Sequence, residues 1–136
     1  MTSIKIGVDV TPAMLANATV GVMESGYSPW LENLEFTNGS AKNDTGQDSV
    51  WYSLENFWDK EKNPHLGIIA RYDEADQDEG SFTGEDNITW EDIEKGLQLM
   101  AKEAPAHFHD LITENDDAFT HDTLWQFIIL GEHVYG

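Results

Sequence analysis

Read for the spacing of hydrophobic and polar positions alone, the chain divides into segments of two periods. Ile4, Ile6, Val8 and Val10 alternate with Lys5, Gly7 and Asp9, the period of two expected of a strand with one buried face. Met14, Leu15, Ala18, Val22 and Met23 then recur at helical spacing behind Thr11 as N-cap and Pro12 at the first helical position, with Gly26 as the stop. This predicts a helix over 12–25. Trp30, Leu31, Leu34 and Phe36 predict a strand over 30–36, followed by a polar loop over 38–48 that opens on the turn signal Asn38 and Gly39. Residues 50–52 have the composition of a further short strand. Residues 54–58 read as a helical turn or a loop carrying two aromatics able to stand exposed, and 60–64 as a surface connection. The β-forming residues 66–72 and the segment 81–83 bracket an acidic turn over 73–80, which predicts a hairpin with a charged tip.

Thr89 heads a capping-box-like start with Asp92 at the third position, and Ile93, Leu97 and Met100 at i, i+4 and i+7 predict a helix over 90–103 that ends before Pro105. Residues 107–113 read as another helical turn. The most apolar run follows: Thr120 reads as an N-cap, Leu124, Phe127, Ile128 and Gly131 share one helical face, and Trp125 and Ile129 widen it. This helix is expected to be buried on most sides, the beam against which the other elements rest. A strand is the rival reading of residues 127–130, because a short apolar run has no period of its own. The order β-α-β-β-β-β-α-α is that of an α+β fold: a small, mostly antiparallel sheet with two to three helices packed on one face, in a single domain over 1–136.

Charge changes this picture of an ordinary small domain. Seven Lys plus Arg stand against 26 Asp plus Glu, a formal net charge of -19, while 40% hydrophobic residues keep the chain outside the disordered class. The acidity therefore decorates a folded body. It argues against direct binding to nucleic acid or an anionic membrane, both of which are driven by Lys and Arg on phosphates, and points to a basic protein surface as partner. Solubility in a saline setting is the bland alternative. Asp73, Glu74, Asp76, Asp78, Glu79, Glu85, Asp86, Glu91 and Asp92 form a band without Lys or Arg, the candidate partner-binding surface. Duplex DNA carries one charge per about 1.7 Å of axis, and such a band on a rigid hairpin could imitate it. Acids are also simply comfortable at a hairpin tip and a helix N-terminus. Glu74, Asp76, Asp78 and Glu85 fall at positions 1, 3, 5 and 12 of a calcium loop, but Glu79 stands where a Gly is needed, so no metal site is assigned.

Aromatic residues supply a second candidate. Tyr27, Trp30, Trp51 and Trp58 are anchors for a small ligand such as a nucleotide signal, with Lys60, Lys62 and Arg71 as a local basic patch; core packing competes for each of them. A third rests on His65, His107, His109, His121 and His133 as ligands of a metal-dependent hydrolase, although His107 and His109 do not share a helical face and no His-Glu-x-x-His occurs. Without cysteine there is no disulfide or thiolate site. There is no Gly-x-Ser-x-Gly elbow and no glycine-rich phosphate loop, so no catalytic residue and no cofactor is assigned, and a non-enzyme is expected. No stretch reads as a signal peptide or a membrane span, and the lack of cysteine leans to the cytoplasm.

Glu24, Ser25 and Gly26 with Trp30, then Gly96, Leu97, Met100 and Ala101, then Asp117, Ala118, Thr120, Asp122, Gln126, Gly131, Glu132, Tyr135 and Gly136 form a recognisable pattern. In it the chain resembles a family of small bacteriophage and prophage proteins of uncharacterised function, closely in the C-terminal part and loosely before it, where Ser25 and Pro29 depart. The resemblance implies a phage gene product in the cytoplasm of a bacterial host. Small acidic phage proteins often inhibit host enzymes or defence systems, as DNA mimics and anti-CRISPR proteins do, an analogy of lifestyle and charge. The leading expectation is thus an inhibitor that occludes a basic surface of a host nucleic-acid-handling or defence protein. A nucleotide-signal sequestering protein and a metal-dependent hydrolase are the alternatives. An exposed aromatic patch would also permit a homodimer.

Overall fold

The apolar C-terminal run folds as a helix, α4 (Ala118–Ile129), and every residue from 120 to 129 is buried. Burial of one Leu, Ile or Phe side chain stabilises by about 1.5–3 kcal/mol relative to exposure. A run holding Leu124, Trp125, Phe127, Ile128 and Ile129 is therefore drawn to the centre, and being apolar on several sides it must be covered on several sides. The computed structural model describes residues 9–26, 28–36, 52, 55–73 and 83–133. Around α4 these place α1 (Pro12–Glu24), β1 (Leu31–Phe36), a 3-10 turn (Glu55–Trp58), β2 (Ile68–Asp73), β3 (Thr83–Ile88), α2 (Trp90–Glu103) and α3 (Pro105–Ile112). The fold is α+β, with four α-helices among the described residues where two to three were expected, and α1, α2, α3 and β3 all meet α4.

Two glycines let the helices close on α4. A Cβ on Gly96 would lie 2.5 Å from Cγ1 of Ile128 and 2.8 Å from its Cα, so α2 and α4 touch almost backbone to backbone. A Cβ on Gly21 would lie 1.7 Å from Nδ1 of His121, so the imidazole sits directly against α1. Local chemistry sets the helix starts. The Thr11 hydroxyl accepts from the Met14 N–H, and Pro12 occupies the first turn of α1. The Asp92 carboxylate accepts from the Thr89 N–H at 2.9 Å and from its hydroxyl at 3.0 Å at the head of α2. The N-cap of α4 is Asp117 and not Thr120: Asp117 accepts from the Thr120 N–H at 3.0 Å and its hydroxyl at 3.2 Å, while Thr120 itself lies buried one turn into the helix.

The three strands pair antiparallel in the order β1-β2-β3, with a bulge between Leu31 and Asn33. Alternation puts Leu34, Ile68, Ala70, Tyr72, Gly84 and Ile88 on the core face, all buried. The opposite face carries Glu35, Arg71, Glu85 and Asn87. β3 runs five residues beyond the expected 81–83 segment, although Gly84, Asp86 and Asn87 are poor strand formers. Its pairing to β2 overrides propensity, and Gly84 leaves room for the Tyr72 ring across from it: a Cβ there would meet the ring at 2.7 Å. The strand expected over 4–10 lies outside the described residues except for Asp9 and Val10, which are not in a strand, and the 38–48 loop lies wholly outside them. Of the segment 50–52 only Tyr52 is described, in 3-10 geometry. Phe57 and Trp58, expected able to stand exposed, are 2% exposed each and stack edge to face with ring centres 5.3 Å apart.

Candidate functional site

The acidic band is the first place to test for a site, and the ladder divides it. Glu85 and Asp86 are neighbours on β3, so their side chains leave on opposite faces of the sheet. Glu85 joins Glu35 in clasping Arg71, at 3.3 Å from Nε and 2.9 Å from Nη1 respectively. Hydrogen bonding and attraction from Glu35, with a smaller contribution from Glu85, raise the Arg71 pKa further above its ordinary value, so this cation is permanent. Asp86 turns the other way and accepts from the Tyr72 hydroxyl at 2.7 Å. Asp92 is spent on the head of α2, and Glu91 beside it is exposed. Asp73 ends β2 in the backbone; Glu74, Asp76, Asp78 and Glu79 lie outside the described residues.

Exposed carboxylates continue well beyond that band, at Glu24, Glu32, Glu55, Glu61, Glu94, Glu103, Glu114 and Glu132. Of the described cations, Lys60 pairs with Glu94 at 2.5 Å and Arg71 is clasped as above, Lys62 donates to the Asn56 side chain at 3.1 Å, and Lys95 and Lys102 are exposed. The surface therefore offers a diffuse negative field.

The aromatic candidates divide differently. Tyr27 and Trp51 lie outside the described residues. Trp30 is buried, its indole N–H donating to Oδ1 of Asp122 at 2.7 Å. Trp58 is buried against Trp125, with ring centres 6.2 Å apart, and donates to the Tyr52 carbonyl at 2.9 Å. One edge of Trp58 does reach a surface groove of about 390 Å³, where Trp90, Leu15, Ile93 and Lys60 join it.

Of the histidines, His107 stacks on Phe119 at 5.0 Å, and His121 is buried with its Nε2 against the Asp116 carboxylate. His65, His109 and His133 are exposed. Among the described residues no group of three His, Asp or Glu side chains converges on a metal position.

Two arrangements escape sequence reasoning. Asp122, 4% exposed in the middle of α4, accepts from the Ser28 hydroxyl at 2.5 Å, the Trp30 indole at 2.7 Å and the Gln126 amide at 2.6 Å. Its signal is in plain view: Asp122 and Gln126, at i and i+4, are polar residues in a run too apolar to be surface. The second is another groove of about 390 Å³, bounded by α1, the 3-10 turn and the α3–α4 connection. No family model, curated protein or solved structure matches the chain.

Proposed function

We propose that the protein is a non-enzymatic, acidic binder that occludes a basic surface of a host nucleic-acid-handling or defence protein. The observation that carries this reading is the surplus of exposed carboxylates over cations, the described cations Lys60 and Arg71 being already paired to Glu94, Glu35 and Glu85. A field of that sign steers a cationic partner and raises its on-rate above what shape alone supplies. The phage resemblance of the C-terminal pattern supplies the setting, a bacterial host whose DNA- and RNA-handling proteins are basic. Because Glu85 and Asp86 face opposite ways, the reading is broad electrostatic occlusion and not a single row of phosphate-like charges.

The test is an affinity pull-down from bacterial lysate, washed at low and high salt, run beside a Glu85→Lys/Glu91→Lys variant. Expected is recovery of a basic nucleic-acid-handling protein, released by salt, with its on-rate to the variant lowered about tenfold at low salt and less dependent on salt. Association that ignores both salt and charge reversal overturns the reading. The groove containing Trp58, Trp90 and Lys60 favours a second reading, a small-molecule sequestering protein, since its volume falls in the range of about 300–1,000 Å³ usual for ligand sites. A nucleotide co-purifying in place of any protein would bring that reading forward.

A further inference from the structure

The second groove is lined by one stripe of α1 and by carboxylates from two distant parts of the chain. Ala13, Ala16, Asn17 and Val20 stand at i, i+3, i+4 and i+7, a helical strip of three small or apolar groups and the exposed Asn17 amide, with Met14 beside it. Glu55 comes from the 3-10 turn, and Glu114 and Asp116 from the connection between α3 and α4. Among the described residues no basic side chain lines this space, and Glu55 and Glu114 are exposed and form no ion pair. Asp116 is fixed in place, its side chain 5% exposed and backed by the buried imidazole of His121. A largely apolar strip beside two exposed carboxylates suits a ligand with an aliphatic stem and a cationic head.

We propose that this groove seats one long cationic side chain, arginine or lysine, presented by the basic partner, its methylenes along α1 and its charged head between Glu55 and Glu114. This rests on the acidic-binder reading and gives it a specific point of contact on α1, outside the β3–α2 band. Charge complementarity selects the occupant. The methylenes would cover the half-buried Ala13 and Val20, and the head would meet Glu55 and Glu114, exposed carboxylates that form no ion pair among the described residues.

The probe is N-acetyl-arginine methylamide, titrated into the whole protein and followed by two-dimensional amide NMR, with N-acetyl-leucine methylamide and sodium chloride at matched ionic strength as controls. Saturable shifts confined to residues 13–20, 55 and 113–116, given by the arginine compound alone, are expected. The double variant Glu55→Gln/Glu114→Gln should weaken binding about fivefold, two surface charge contacts being lost. Ala13→Leu, which fills the strip and keeps every charge, should weaken it as well, and the amide spectra show directly that both variants are folded. Shifts spread over all exposed carboxylates, or binding unchanged in both variants, overturn the groove. That failure leaves the acidic-binder reading standing, because the lysate pull-down tests the latter without reference to α1. Absence of any basic partner in the pull-down, beside saturable arginine binding here, would separate the two in the other direction.

Discussion

Asp122 shows how one buried carboxylate can bind distant segments together. Ser28 and Trp30 come from the approach to β1, yet their donors converge on Oδ1 of a residue in the middle of α4, while Gln126 from the next turn covers Oδ2. Asp122→Ala removes the acceptor that these donors share, and a buried donor that loses its acceptor costs about 1–3 kcal/mol. Urea unfolding should show a loss of about 3 kcal/mol or more, with the two edges of the network, Ser28→Ala and Gln126→Ala, costing less each. Several of the same residues recur among the positions singled out in the sequence. Trp30, Asp122 and Gln126 make this network, Gly96 is the closest approach of α2 to α4, Asp117 caps α4, and Met100 is fully buried. What these six residues do is packing and capping.

Among elements, the contact of α2 with α4 yields a prediction whose sign decides between two effects. Helix propensity favours Ala over Gly by about 1 kcal/mol at an interior position. At Gly96 the added methyl would meet the Ile128 backbone at 2.8–2.9 Å, which only a shift of a whole helix relieves. Overpacking of that kind costs about 1–3 kcal/mol. Gly96→Ala should therefore lower the melting temperature. The start of α4 makes a pH prediction. The backbone N–H of Thr120 bonds the Asp117 carboxylate and holds its pKa below the ordinary 3.8. A depressed carboxylate stabilises the fold above the unfolded pKa, and that contribution disappears as pH falls through the folded value. Asp117→Ala should cost about 1 kcal/mol near neutrality, and the gap to the parent protein should narrow in unfolding curves taken below pH 3.8.

Elements with strong local signals are legible in the amino-acid order itself. Thr89 and Asp92 with Ile93, Leu97 and Met100 mark α2 to the residue, and Thr11 with Pro12 marks the start of α1. The pattern sets the start of α4 three residues late, because Thr120 and Asp117 both have capping chemistry and only tertiary burial of Thr120 separates them. It cuts β3 short, because those residues are poor strand formers on their own and become a strand by pairing with β2. The α1 groove leaves no trace in the pattern, since no sequence spacing connects Glu55 with Glu114 and Asp116.

For the molecule as a whole, a net charge of -19 on one small body is a destabilising self-repulsion. Added salt shortens the reach of that repulsion to about 8 Å at 0.15 M. The melting temperature should rise as sodium chloride increases from low to moderate concentration, even though the same salt weakens the pairs of Lys60 and Arg71; a fall would mean that those pairs outweigh the general field. The placement of α4 has a further consequence, for synthesis. Ser28 and Asp122 stand 94 residues apart, and a ribosome adding about 5–20 residues per second takes roughly 5–20 s to cross that distance. In the later part of that interval α1 and the three strands have been made, and α4, which α1 and β3 both meet, has not. Leu15, Val22, Ile68 and Ile88 are then hydrophobic surface without cover, open to whatever holds nascent chains. The beam of this fold is laid after everything it carries, so folding waits for α4 to leave the ribosome, and a chain interrupted before that point is a ready substrate for proteolysis.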